Sequence, residues 1–333
     1  MQNTTYLPMI YKISALEKII NDSIQNLSFE ESPNTLFEPI RYILSLGAKR
    51  VRPVFTLLAA NLFSEEVDHA ISPALAIEIF HNFSLLHDDL MDRADLRRGH
   101  ATVHTKWNEN TAILSGDAML IEAFLQIAKV PSERLSQVFD LFSKTALEVC
   151  RGQQYDMDFE TRTDVSEDEY IEMVRLKTAV LIACALKMGA LVSGAPEIDA
   201  DLLYRFGINI GIAFQLRDDL LDVYGDSKTF GKKIGGDIVC NKKTFLLIKA
   251  LEKANNSQRK ELEKWFNDVD SDPDAKIEAV RNIYDALHLK TVSENIIEQY
   301  YLMAMDCFSS IDVPDWRKSE LLTMAENLMY REK

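Results

Sequence analysis

Phe83-Ser84-Leu85-Leu86-His87-Asp88-Asp89-Leu90-Met91-Asp92 runs from apolar to acidic with no glycine or proline to interrupt it. Wound at 3.6 residues per turn, this stretch stacks Asp88 and Asp92 one turn apart on a single face. The same pattern returns as Asp218-Asp219-Leu220-Leu221-Asp222, behind Ile212-Ala213-Phe214. A solvated acidic face has no need of apolar flanks, and carboxylates set in apolar sequence are costly unless paired or metal-bound. Two such faces turned towards one cavity suit a hard cation. Mg²⁺ fits best, because it is held by a few carboxylates together with substrate phosphates.

Outward from these motifs the helical period persists. Ile13, Leu16, Ile20, Ile24 and Leu27 follow it near the start, as do Leu202, Phe206, Ile210 and Phe214 ahead of the second motif. With 12 Gly and 9 Pro in 333 residues, and few alternating Val/Ile/Thr runs, the chain reads as all-α and as one domain, 1–333. The most apolar stretch, Ala179 to Ala195, is broken by Lys187 and reads as a buried helix, so no transmembrane segment is expected. Met1-Gln2-Asn3-Thr4-Thr5 does not open a secretory signal, which makes a cytoplasmic protein the expectation. Cys150, Cys184, Cys240 and Cys307 lie far apart, which argues against a CxxC site or a disulfide framework and reads as small buried residues. A net charge of −15 excludes a nucleic-acid partner. Small anionic substrates remain open, since bound cations invert the local sign of an acidic site.

The basic residues match the acidic ones. Gly47-Ala48-Lys49-Arg50-Val51-Arg52-Pro53 places cations where a helix begins, with Pro53 in its first turn, and there they serve an anion better than the helix dipole. Arg97 and Arg98 follow the first acidic motif closely, and arginine takes phosphate bidentately. Lys177-Thr178 falls in a helical stretch, Lys232 in Phe230-Gly231-Lys232-Lys233, and Lys242-Lys243-Thr244 ahead of another apolar helix. Together they outline sites for two diphosphates, one bridged by metals and one held by basic side chains alone. His81 lies two turns before Asp88 on nearly the same face and could donate to an anion, whereas His87 reads as an ordinary core or surface histidine.

These segments, with Gly116-Asp117, Gly152-Gln153, Asp156, Phe214-Gln215 and Asp237, occur in the order used by the trans-polyprenyl diphosphate synthases, which the chain resembles from about residue 35 to about residue 250. The resemblance implies an isoprenoid synthase-type helical bundle around a deep central cavity, usually a homodimer. It implies head-to-tail condensation of isopentenyl diphosphate with an allylic diphosphate (dimethylallyl, geranyl or farnesyl) through an allylic carbocation. Asp88, Asp92, Asp218 and Asp222 would bind Mg²⁺, three ions in all, with Asp89 and Asp219 in support. Arg97, Lys177, Thr178, Gln215, Lys232 and Lys242 would address the allylic diphosphate, and Lys49, Arg52, His81 and Arg98 isopentenyl diphosphate. A backbone carbonyl near Lys177 and the Gln215 amide would steady the cation, and the released pyrophosphate would take the last proton. Ala48 stands where many members have a second glycine, a small change to that loop. The end, Tyr330-Arg331-Glu332-Lys333, could cover the site as basic tails do in some members or simply fray.

Phe83 sits five residues before Asp88, about 7.5 Å along a helix axis. With Phe80 one turn deeper and the small Ser84 beside it, the rings read either as the floor of a short product channel or as plain core. As a floor they leave farnesyl and geranylgeranyl diphosphate both open, with the longer slightly favoured. Two alternatives fit less well. A terpene cyclase usually carries Asn, Ser and Glu in its second metal motif and does not need Lys49, Arg52 and His81. A non-catalytic regulatory subunit tends to lose one acidic motif, and both are present.

Overall fold

In a computed structural model, residues 10–225, 234–268 and 271–329 are described. Lys232 and the 330–333 tail lie outside them. The described residues are almost wholly helical, as expected for an all-α protein, and the chain forms two compact units. The first comprises Met1–Ala146, Cys184–Tyr204 and Ile311–Met324, the second Leu147–Ala183, Arg205–Ser310 and Ala325–Lys333.

The first unit begins with α1 (Ile13–Gln25), α2 (Asn34–Ser45), α3 (Val51–Phe63), α4 (Ile71–Met91), α5 (Val103–Lys106) and α6 (Glu109–Ile127). Helix α1 is amphipathic, as its spacing predicts, and buries Leu16, Ile20 and Ile24. Helix α4 is different. Its residues from Pro73 to Phe80 are all buried, so it is enclosed around its whole circumference and packs against both α3 and α6. That central position holds the first acidic motif at its end.

Of the basic segment, Arg50 turns inward. It caps α3 in the left-handed conformation at φ 46°, and it is 6% exposed. Its guanidinium donates to Glu78 Oε1 at 2.5 Å and to the Leu44 carbonyl at 2.6 Å. Glu78, inside α4, also accepts from Asn82 Nδ2 at 2.9 Å. Arg50 therefore ties the α2–α3 turn to α4.

The remaining helices are α7 (Ser132–Thr161), α8 (Glu167–Val174), a π turn (Arg175–Ala179), α9 (Val180–Val192), α10 (Glu197–Tyr224), α11 (Gly236–Val239), α12 (Phe245–Lys253), α13 (Asn256–Asn267), α14 (Pro273–Ala286), α15 (Leu289–Ser309) and α16 (Asp315–Met329). Their starts are written in the sequence. Ser166 and Glu169 form a capping box on α8, Thr244 caps α12, and Asp272 caps α14 with proline at its start. As expected for a buried helix, Val180 to Leu186 are all buried. Of the four cysteines only Cys184 is buried. Cys150 and Cys240 are exposed and Cys307 is intermediate, a correction to the reading of all four as core. Spacing between cysteines does not reveal which of them the fold buries.

Removing Glu78 strands a buried guanidinium, which costs about 3–5 kcal/mol. Denaturant unfolding of Glu78→Ala is expected to show a loss of that size with activity otherwise measurable at low temperature.

Candidate active site

Both acidic motifs occupy the C-terminal ends of long helices, α4 and α10. A helix end of that kind carries partial negative charge, so carboxylates there are destabilising unless cations or donors meet them. In the first unit Asp88 and Asp89 close α4 and Asp92 is its cap residue. Arg93 follows with φ 52°, and then a two-stranded hairpin pairs Leu96–Arg97 with His100–Ala101. Its two-residue turn, Arg98-Gly99, has φ 54° and 77°, the twist-compatible geometry that favours glycine at its second position. The hairpin returns Arg97 to the helix end. Arg97 Nε donates to both Asp89 oxygens at 2.9 and 3.1 Å, Nη2 to Oδ1 at 2.5 Å, and Asp88 Oδ2 lies 3.8 Å away. Asp89 is 2% exposed, and burial pushes its carboxyl above the usual range against the pull of Arg97. Asp92 is exposed and Asp88 half-buried, so the pair one turn apart is the accessible one.

On the same unit, Arg52 Nη1 lies 3.1 Å from His81 Nε2. Since arginine can only donate, Nε2 must accept, which leaves the ring proton on Nδ1. Burial, then Arg52, Arg98, Arg97 and Arg50, hold His81 well below its ordinary pKa. His81 is thus neutral and orients Arg52 rather than offering Nε2–H to an anion. Arg98 donates to the Leu46 carbonyl at 3.3 Å, and Lys49 is exposed nearby in sequence. Two of these guanidiniums, on Arg50 and Arg97, are already ion-paired.

Further up α4, Phe83 meets Phe80 at 5.4 Å between ring centroids, and His87 at 4.8 Å. Phe80 is edge-on to Phe142 at 5.6 Å. Ser84 donates to the His81 carbonyl at 2.8 Å. Gly116 is small because His87 fills its side: a Cβ there would stand 2.2 Å from Nε2.

In the second unit the motif on α10 is supported by side chains. Asp219 is 4% exposed; it accepts from the Tyr170 hydroxyl and, at 3.0 Å, from Gln215 Nε2. Gln215 Oε1 accepts from Thr178 Oγ1 at 3.1 Å, so one network runs Thr178–Gln215–Asp219–Tyr170. Burial pushes the Asp219 carboxyl up to about 7, and burial together with Asp219 raises Tyr170 far above an ordinary phenol. Asp222 is held by backbone instead. Its Oδ2 accepts from Asp237 N–H at 3.0 Å, and its carbonyl accepts from Gly235 N–H at 2.7 Å. Gly235 has φ 83° and a Cβ there would meet Ile277 at 2.6 Å, so only glycine fits. Lys242 Nζ reaches Asp237 Oδ1 at 3.9 Å.

Lys177 sits in the π turn, where Val180 N–H reaches five residues back to the Arg175 carbonyl. Its Nζ binds Asp156 Oδ2 at 2.6 Å. The helix opposite comes so close that a Cβ on Gly152 would lie 2.3 Å from the Lys177 nitrogen. Nothing in Leu176-Lys177-Thr178 announces that wide turn; Gly152 is its only trace in the sequence. Tyr170 likewise gives no sequence signal, lying in a run of ordinary helix residues.

Among the described residues no three His, Cys, Asp or Glu side chains converge on a metal by themselves. Each motif offers a pair of carboxylates one turn apart, all hard oxygen donors. That set fits Mg²⁺, which keeps waters and takes substrate phosphate oxygens instead of filling a cage of protein ligands.

Residues 33–284 match the polyprenyl synthetase family. A geranylgeranyl diphosphate synthase of Methanosarcina mazei is 42% identical over 249 residues, covering 74% of this chain and 77% of that protein. A crystal structure of a geranylgeranyl pyrophosphate synthase superposes with a TM-score of 0.92 at 42% identity, over 97% of this chain and all of the other. A geranylgeranyl pyrophosphate synthase of Corynebacterium glutamicum, complexed with isoprenyl diphosphate and magnesium, does so at 0.85 with 26% identity, over 96% of this chain and 100% of the other.

A pKa depressed in the folded state links His81 to stability in a definite direction. The contribution of the neutral ring is complete above the ordinary histidine value of about 6.5 and is lost as pH falls below it towards the folded value. NMR of the substrate-free protein at pH 6 is expected to show His81 unprotonated, with Nδ1 carrying the proton; a ring titrating at its ordinary value contradicts the geometry.

Proposed function

Because the chain belongs to the polyprenyl synthetase family, we propose for it the specific reaction of a geranylgeranyl diphosphate synthase. It is a prenyltransferase of the short-chain trans type, joining isopentenyl diphosphate head-to-tail to allylic diphosphates. A cyclase or a regulatory subunit is not favoured. In our reading the whole chain is one catalytic domain, which the match of 97% of it to all of one synthase chain supports.

The single observation that carries the reading is the placement of paired carboxylates, Asp88 with Asp92 and Asp218 with Asp222, at the negative ends of α4 and α10. These four would hold the Mg²⁺ ions, three by family resemblance, and Asp89 and Asp219 would brace them through Arg97, Tyr170 and Gln215. When bound, the metal neutralises the allylic diphosphate and makes it a leaving group. Lys177, Thr178, Lys242, Arg97 and, by its motif, Lys232 would bind that diphosphate. Lys49, Arg52 and Arg98 would bind isopentenyl diphosphate, with neutral His81 orienting Arg52. Gln215, whose side-chain carbonyl accepts from Thr178, would stabilise positive charge nearby. No protein nucleophile is required, since the alkene of isopentenyl diphosphate attacks the cation.

Phe83, at 8% exposure, and the deeper Phe80 would end the product channel, and Phe142 behind Phe80 keeps that ring from yielding. Geranylgeranyl diphosphate is favoured as the product because relatives of that name recur. Helix α6 exposes Ile113, Leu114, Ile121 and Leu125, of which Leu114 and Ile121 are 60% and 62% exposed, a face suited to a second copy of the chain. A cytoplasmic enzyme is consistent with the free thiols of Cys150, Cys240 and Cys307. No helix among the described residues is long and apolar enough to cross a membrane.

Asp88→Ala and Asp218→Ala are each expected to lower turnover by at least about 100-fold. Because each removes like charge from a negative helix end, melting temperature should hold or rise; near-normal turnover overturns the metal assignment. Phe83→Ala is expected to shift the product to longer chains on reversed-phase chromatography, and an unchanged product removes that ring as the floor.

A further inference from the structure

Lys276 is out of place by every local rule. It lies in the first turn of α14, where the helix end is positive and a cation is unfavourable. It is also only 4% exposed, in a protein whose other lysines mostly face water. Burial lowers the pKa of its amine, so the charged form is held there at a cost.

Two neutral oxygens accept from it, and the nearby Asp268 carboxylate also favours its charge. Nζ donates to Asn241 Oδ1 at 2.5 Å and to the Val239 carbonyl at 3.2 Å, and lies 5.7 Å from the centre of the Phe266 ring. Val239 ends α11, so the ammonium sits at the end of a helix that welcomes it. Asn241 is held in the left-handed conformation at φ 57° and donates from Nδ2 to the Phe266 carbonyl at 3.1 Å. The next residue is Lys242, whose N–H donates to the Asp237 carbonyl at 2.9 Å. Ile277, adjacent to Lys276, packs where a side chain on Gly235 would stand. One helical turn therefore braces both sides of a short segment. At its start, Gly235 and Asp237 donate to Asp222; at its end, Lys242 and Asp237 approach each other.

We propose that Lys276 is a positioning residue for the allylic diphosphate site: by anchoring Asn241 and the Val239 carbonyl it fixes the segment that presents Lys242 and Asp237 and locks Asp222. This rests on the assignment of Asp222 and Lys242 to that site. Lys276 does not touch substrate; it acts through Asn241.

The test is steady-state kinetics of the full chain with Mg²⁺, varying isopentenyl diphosphate and geranyl diphosphate separately, for wild type, Lys276→Met, Lys276→Arg and Asn241→Ala. Losing the two charge-assisted hydrogen bonds to Asn241 and Val239 in Lys276→Met is expected to raise KM for geranyl diphosphate by at least about 10-fold. KM for isopentenyl diphosphate should stay within about twofold, because its proposed ligands lie in the other unit. Half-saturation by Mg²⁺ should move up with the first, Lys276→Arg should recover most of the loss, and Asn241→Ala should show the same split. A general loss of stability has no reason to separate the two substrates. If both KM values move together or neither moves in the folded variants, the role of Lys276 is overturned. Should Lys276→Met fail to fold, the presence or absence of the split in Asn241→Ala decides in the same way. A wild-type chain that elongates no primer sinks the synthase reading itself, an outcome distinct from an active wild type whose variants show no split.

Discussion

Carboxylates at the negative end of a helix are the constraint around which the described structure is organised. An Asp-rich turn closing α4 or α10 opposes the helix dipole and is crowded with like charge. Each unit answers locally. At α4 the chain reverses through a hairpin so that Arg97 can grip Asp89 with a bidentate contact. At α10 Asp219 is absorbed into a buried network of Tyr170, Gln215 and Thr178, and Asp222 is met by backbone N–H groups of the following segment. In both cases the middle carboxylate is satisfied from within, and Asp88 and Asp218, the first of each motif, stay half-buried rather than buried. Divalent cations, at the carboxylates we propose for them, would complete what the protein begins.

The same economy governs the cations. In a chain of net charge −15, several basic groups are spent on architecture. Arg50 is buried against Glu78, and Lys276 against Asn241. His81 is kept neutral by burial and by the arginines around it, and this lets it accept from Arg52. The residues that hold the backbone and the residues that would hold phosphate are therefore neighbours in sequence with opposite duties, as Arg50 and Arg52 illustrate.

That mixture explains what could be read in advance. Helical period gave α1 and α10, and the apolar run after Lys242-Lys243-Thr244 gave α12, which the structure shows Thr244 to cap. The one-turn pairing of Asp88 with Asp92 follows from residue spacing alone. Local pattern does not say which arginine turns inward, because Arg50 is selected by Glu78, far along the chain. Nor does it show the π turn at Lys177, which depends on close approach of the Gly152 backbone. The return of Arg97 to Asp89 requires the Arg98-Gly99 turn, whose positive φ at arginine no propensity favours. Lys276 breaks local rules for the same reason: its environment is tertiary.

The most direct test is product analysis after incubating the purified chain with labelled isopentenyl diphosphate and geranyl or farnesyl diphosphate, with and without Mg²⁺. Label in a C20 prenyl diphosphate that appears only with the metal is the predicted result. A folded protein that puts no label into any elongated diphosphate, with Mg²⁺ present, contradicts the account.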